Sequence, residues 1–574
     1  MPSLLRRSLV LATLLALLLG VVGVSAPAAL AAKDTSTRVA GINVDATTIP
    51  QLQALMNRHR LSSVQLVQFY LHRITTLNPK LHAVITVNPS ALALARAADK
   101  ARRFGDHRPL LGIPVLVKDN VNTTGMPTTA GSWALAGSHP SDAFIAQRLK
   151  AAGAIIIGKA NLSEWANFRS NPSSSGWSGI GGQTNMPYVL DRNPCGSSSG
   201  TGSGVAADLA TVGIGTETDG SIVCPAGANG IVGLKPTIGL WSRAGVIPIS
   251  ADQDTAGPMT RNVTDAAVVL GAVAGIDPND PATAAQAGHA FTDYTQFLDA
   301  HALEGKRIGI WRAGTYSPAT EGIALPILAD VIDVLEAQGA TVVDPTDIDL
   351  SAAIANEFPA LLCEFKTDIA TYLQTYTAAG YPKTLADLIA FNTAHPELEG
   401  PWNSALWKDA EATGGRSDPA CQAARAATTA PTQAAVDGIM AANNLDAIVG
   451  LTNGPAWVTS DDPERGDLEG TDDFALFMGN STASAVSGYG TITVPAAYVG
   501  HLPIGISFIG GRWSEPELIG FAYDYEQATH VRIPPTFLAH ETASAAAAGS
   551  AAGHGHQKAV APGRKDHRVM MPAR

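Results

Sequence analysis

Apolar residues recur at helical spacing over Ile49 to Arg60 and over Ser63 to Leu77, with Ser62 or Ser63 where an N-cap belongs. Leu81 to Val87 reads as a strand. Pro89 to Arg103 reads as a helix with proline in its first turn, and Ile113 to Lys118 as a short apolar strand. Asp142 to Ala152 predicts a helix stopped by Gly153, and Ile155-Ile156-Ile157 a buried strand. Further strands are expected at Arg307 to Trp311, Thr341 to Val343, Ala447 to Leu451, Thr491 to Val494 and Gly505 to Ile509. Helical patterns separate several of them. Such alternation predicts an α/β layered fold with helices on both faces of a sheet. No fixed-period repeat and no Pro- or Ser-rich linker interrupts it, so one large domain is expected. The acidic, Gly-containing stretch 461–473 is the expected surface insertion.

The two ends break the pattern. Arg6 and Arg7 precede an apolar run from Leu9 to Val24, and Ala29-Leu30-Ala31 offers a small-x-small cleavage site. Residues 1–31 therefore read as a secretory signal peptide, which leaves an exported protein without stable membrane insertion. Residues 542–574 are rich in Ala, Gly, His and basic residues without apolar period, and read as a disordered low-complexity tail. Its His554 and His556 are read as tail rather than as metal ligands. The core segment 32–541 remains.

Composition narrows the partners. A net charge of −12 argues against nucleic acid. Four Cys in 574 residues exclude a disulfide scaffold, and their positions form no zinc signature.

The chemistry gathers between Asn193 and Pro236. There, Cys195-Gly196-Ser197-Ser198-Ser199-Gly200 is followed by Gly215-Thr216-Glu217-Thr218-Asp219-Gly220-Ser221 and Gly233-Leu234-Lys235-Pro236. Val205 to Val212 between them is apolar and helix-like. Gly-rich turns allow close backbone approach and anion-binding nests. The Walker pattern is absent, which discounts phosphate binding. Gly196 to Gly200 matches GxSxG formally, but turn residues 191–194 stand where that motif needs a strand. A Gly/Ser-rich surface loop is the plainest reading, although a disordered linker would not be interrupted by such apolar runs, and acyl transfer by a serine nucleophile is the other.

This segment resembles the signature of the amidase signature family. Gly112 to Asp119, Gly131-Ser132, Gly158 to Asn161 with Glu164, and Leu502 to Gly505 also match, over about residues 50 to 530. The resemblance implies a single large α/β/α sandwich around a mixed, mostly parallel sheet. It implies amide hydrolysis with no metal and no cofactor. It assigns Ser221 as nucleophile, Ser197 as bridging serine after a cis peptide bond, and Lys118 as base. The backbone N–H groups of Thr218, Asp219, Gly220 and Ser221 would hold the oxyanion. Ser198 and Ser199 then hold the loop. The base role requires burial, because an exposed lysine is protonated at neutral pH.

Two departures stand out. Val223 replaces an Arg common in the family, which disfavours small anionic substrates. Cys195 replaces a common Gly. Cys195 and Cys224 each lie near a proposed catalytic serine, and a disulfide or two buried thiols both fit. Cys363 and Cys421 are unassigned. Substrate-binding surface is expected between Asn161 and Gln183, from Trp165, Ala166 and Trp177, with Phe168 beside them. The run Gly176-Trp177-Ser178-Gly179, with Gly181 to Thr184, resembles the bacterial peptide amidase branch. The partner expected is a peptide amide or small-molecule primary amide. An aryl- or acyl-amidase or esterase is the alternative, and a non-catalytic binding protein is disfavoured by the complete triad. The oligomeric state is left open.

Overall fold

The computed structural model describes residues 36–398, 400–459, 471, 472, 478, 479 and 481–541. The expected signal peptide, the tail with His554 and His556, and nearly all of the acidic stretch lie outside the described residues.

A single eleven-stranded sheet runs through the molecule. Its strands are β1 (Val84–Val87), β2 (Pro114–Lys118), β3 (Ile155–Ala160), β4 (Val212–Glu217), β5 (Val232–Lys235), β6 (Thr255–Thr260), β7 (Arg307–Ile310), β8 (Thr341–Val343), β9 (Ala447–Leu451), β10 (Thr491–Val499) and β11 (Leu502–Ile509). The spatial order is β8-β7-β9-β11-β10-β5-β6-β4-β2-β3-β1. Helices flank the sheet, and the fold is α/β as expected.

The sheet is mixed, but it is not mostly parallel. Only the β7–β8, β7–β9, β2–β3 and β2–β4 pairings are parallel; the other six are antiparallel. The cause is direct return of the chain. β10 and β11 form a hairpin closed by a two-residue turn, and β6 lies antiparallel to both β4 and β5. Parallel neighbours would have needed helical crossovers there.

Most expected elements form near their sequence-derived bounds. Ser62 is the N-cap of the helix Ser63–Leu81, in a capping box with Gln65. That helix runs past Leu77 and keeps the fully buried Leu81 helical, ending at His82 in the left-handed conformation. No helix of the described residues is long and apolar enough to cross a membrane.

The main correction falls between Ser199 and Thr260. The helix there is Ser199–Ala206, and the expected helix-like end at Val212 instead begins β4. Its sequence, SGTGSGVA, is intrinsically poor for a helix. Packing makes it form, since all eight residues are buried. A Cβ at Gly202 would come within 2.8 Å of the Pro225 carbonyl oxygen, and one at Gly204 within 2.9 Å of Leu116 Cδ1. Glycines in β4 serve the same approach: a Cβ at Gly215 would meet Met259 Sδ at 2.8 Å and Ser198 Oγ at 2.9 Å. A Cβ at Gly257 in β6 would come closer still to the Leu234 carbonyl oxygen. These strands lack the alternation that marks a strand in sequence because side chains would block the helix at β4 and the neighbouring β5 at β6.

Gly257→Ala should therefore destabilise the protein by about 1–3 kcal/mol, the usual cost of overpacking. Gly438→Ala, in the helix Thr429–Asn443 with nothing within 4 Å of its would-be Cβ, should stabilise it by about 0.5–1 kcal/mol. Denaturant titration of the two variants measures both signs.

Candidate active site

β2 ends at Lys118, and every residue of the strand is buried. Its neighbours β3 and β4 hold it parallel on both sides. The Lys118 side chain therefore emerges beneath the Ser/Gly cluster and not toward solvent. Lys118 Nζ donates to Ser197 Oγ at 2.8 Å, to Thr216 Oγ1 at 2.9 Å and to the Thr216 carbonyl at 3.2 Å. Thr216 Oγ1 is also held by Asn120 Nδ2 at 2.9 Å. Burial pulls the Lys118 ammonium down to about 7, against the opposing pull of the Asp254 and Glu217 charges.

The peptide bond between Gly196 and Ser197 is cis. The Ser198 N–H donates to the Ser221 carbonyl at 3.2 Å, which ties the two serine segments together. Ser198 Oγ and Ser199 Oγ are spent on the Thr216 carbonyl, at 3.1 Å, and the Cys195 carbonyl, at 2.6 Å. A disulfide joins Cys195 to Cys224 and so bridges the same two segments; Cys363 and Cys421 form a second.

Ser221 follows Gly220, whose φ of +80° turns the chain between β4 and the helix Val223–Ala228. Glu217, fully buried, accepts the N–H groups of Ile222 at 2.7 Å and Val223 at 3.0 Å. It caps that short helix and fixes what precedes it. Thr218 Oγ1 donates to Asp254 at 2.6 Å, and Asp219 accepts from the hydroxyls of Ser481 and Thr482. Among the described residues, none accepts the N–H of Asp219, Gly220 or Ser221. A turn whose side chains are pinned while its N–H groups stay unclaimed can receive an oxyanion.

Ser197, Thr218, Asp219, Gly220 and Ser221 line a cavity of about 550 Å³. Ala166, Phe168, Ile249, Phe358, Leu361 and Leu406 form its apolar wall. Among its described lining residues, none is Lys, Arg or His. Two of the three expected substrate-binding residues lie elsewhere. Trp165 is buried edge-on against Trp407, with centroids 5.4 Å apart. Trp177 packs against Trp402 and beneath the Arg169 guanidinium. Ala166 does line the cavity. Trp165, Ala166 and Asn167 have φ of 52°, 57° and 69°, a left-handed run that turns the tryptophan inward and the next residues outward. Side chains of such size are usually drawn into the core.

Several site residues were not read from sequence. Thr216 and Glu217 sit inside the quoted motif, but nothing there marks them as lysine and helix partners. Phe358, Leu361 and Leu406 come from distant helices and carry no local signal. Among the described residues, no group of three His, Cys, Asp or Glu side chains is placed to hold a metal ion.

The family model Amidase matches residues 65–519. The chain belongs to the amidase family. A probable amidase of Arabidopsis thaliana is 41% identical over 513 residues, covering 87% of this chain and 93% of its own. The native peptide amidase of Stenotrophomonas maltophilia superposes with a TM-score of 0.79 at 48% identity, over 86% of this chain and 99% of that one. An amidase family protein of Bacillus anthracis gives 0.77 at 32%, over 88% and 97%. The protein is an amide-hydrolysing enzyme of the amidase signature type.

The buried lysine of this amidase makes a stability prediction. Folded Lys118 releases its proton near pH 7, whereas the unfolded chain holds it to about 10.5. Between those values the unfolded state binds more protons, so the wild type gains stability as pH rises. Lys118→Met lacks this dependence. Its melting temperature should exceed that of the wild type most at pH 7 and below, with the gap narrowing toward pH 10.

Proposed function

We propose that this enzyme is an exported amidase that removes ammonia from C-terminal peptide amides through a Ser221–Ser197–Lys118 triad. The observation that carries the triad is the 2.8 Å hydrogen bond from Lys118 to Ser197, beside a cavity that Ser197 and Ser221 share. Neutral Lys118 accepts a proton from Ser197 as Ser197 takes the proton of Ser221. Ser221 Oγ attacks the amide carbon, and the oxyanion falls to the N–H groups of residues 218–221. Collapse of the tetrahedral intermediate breaks the C–N bond. Ser197 returns a proton to the departing nitrogen, and ammonia leaves an acyl-enzyme on Ser221. Water then attacks the ester by the same relay and frees a carboxylic acid.

Three observations support the substrate class. The cavity is large enough for a peptide end. With Asp219 and Glu357 in its lining and no Lys, Arg or His among its described lining residues, it presents no cationic side chain to pair with a free C-terminal carboxylate. A peptide amidase is 48% identical over nearly all of its own length. The apolar wall of Phe168, Phe358 and Leu406 favours a second reading, an arylamide or ester substrate. Export is supported by the sequence of residues 1–31 and by two disulfides, which persist in oxidising compartments.

Mature enzyme should release ammonia from an amidated peptide and leave the free-acid peptide unchanged. Ser221→Ala, Ser197→Ala and Lys118→Ala should each lower kcat by at least ~10³-fold. The wild-type kcat/KM should rise through a pKa near 7 as Lys118 becomes neutral. Faster turnover of anilides or esters than of peptide amides would move the assignment to the second reading.

A further inference from the structure

The relay makes no use of a second set of contacts behind the oxyanion turn. Glu357, on the helix Ser351–Tyr376, lines the cavity with Asp219, and their carboxyl groups are neighbours there. Two neighbouring carboxylates repel each other, and a proton shared between them removes that repulsion. Glu357 also accepts from Gln253 Nε2, and the same nitrogen donates to the Thr218 carbonyl at 3.0 Å. Gln253 Oε1 accepts from Arg425 at 2.9 Å, and Arg425 forks onto Glu364 at 2.7 and 2.6 Å. Thr218 is thus tied to Glu357 through Gln253, and Asp219 lies beside the Glu357 carboxyl group.

We propose that Glu357, in its acid form, is a positioning residue of the oxyanion turn, its proton bridging to Asp219 and its ionisation releasing that bridge. The inference rests on the reading of residues 218–221 as the oxyanion turn. Ionised Glu357 would also set a second negative charge beside N–H groups that receive the oxyanion. Arg425, on the helix Pro419–Ala426, favours ionised Glu357, while Asp219 opposes it. Lys235 of β5 and Glu217 of β4 face Asp219 with opposite effects. Burial, with the Asp219 charge behind it, holds Glu357 up at about 8.

The test is kcat for ammonia release from an amidated peptide between pH 6 and 10, for wild type, Glu357→Gln and Glu357→Ala. The wild type should lose activity above about pH 8. Gln donates to Asp219 and accepts from Gln253 but does not ionise, so its alkaline loss should move up by at least about one pH unit or vanish. Ala should lower kcat by ~10-fold below about pH 8, where the wild type keeps the bridge, while KM changes less, the scale of one lost charge-assisted bond. A Gln variant that keeps the wild-type alkaline limb, or an Ala variant with wild-type kcat throughout, overturns the proposal. A second measurement needs no turnover. Folded Glu357 keeps its proton to about pH 8, whereas the unfolded chain gives it up near 4.5, so the wild type loses stability relative to the Gln variant from pH 5 to 8. A melting-temperature gap that widens across that window supports the protonated bridge, and a constant gap overturns it. A widening gap in a protein that releases no ammonia would leave the bridge standing and remove the amidase substrate.

Discussion

The burial of one lysine is the constraint around which this structure is arranged. A lysine in water is a cation and cannot serve as a base near neutral pH. β2 carries Lys118 into the sheet between two parallel neighbours, and desolvation there outweighs the pull of Asp254 and Glu217. The neutral amine then needs hydrogen-bond partners that are not carboxylates. Ser197 and Thr216 supply them. The geometry of the site follows from bringing those two hydroxyls to one nitrogen in a dry interior.

That convergence explains the glycines. Ser197 heads a buried helix lying against β4, and Thr216 sits near the end of β4. For both hydroxyls to reach Lys118, helix and strand must approach more closely than side chains permit. Gly213, opposite Thr201 and Val205, and Gly215, opposite Ser198, remove the obstruction, while Gly202 and Gly204 let the helix close on Pro225 and on Leu116 of β2. The helix forms against its own propensity because packing repays the cost. The Cys195–Cys224 disulfide and the bond from the Ser198 N–H to the Ser221 carbonyl hold the two loops at the far end of the same contact.

Legibility in the sequence follows the same physics. Where a strand or helix presents one face to a core, periodicity shows it, and segments such as 91–103, 114–118 and 447–451 lie close to where the pattern puts them. Where an element is buried on all sides and thinned to glycine, the pattern fails: β4, β5 and β6 were unread, and the helix before β4 was displaced. The residues proposed as the triad are legible only through their motif. The cavity wall was not, because Phe358, Leu361 and Leu406 reach it from helices remote in the chain. Trp165 and Trp177 misled for a simple reason. A tryptophan near a site is valuable as packing, and the left-handed turn at 165–167 spends it there.

Three lysines are fully buried in this sheet, and they differ in the groups placed around them. Lys159 lies one strand away from Lys118, with Asp119 at 3.3 Å and the carbonyl of Val121 at 2.8 Å. An adjacent carboxylate stabilises its charged form, so it acts as an internal ion pair. Lys235, drawn down by burial to about 8, faces the charges of Glu217, Glu515 and Asp219. Lys118 alone of the three has two hydroxyls as its side-chain partners, with acidic groups acting on it only at longer range. Burial lowers the affinity of all three for a proton; the kind of group placed in contact decides whether that lowered affinity becomes chemistry. A carboxylate in contact with Lys118 would favour the cation, and the acidic residues around it are bonded instead to backbone N–H groups and hydroxyls.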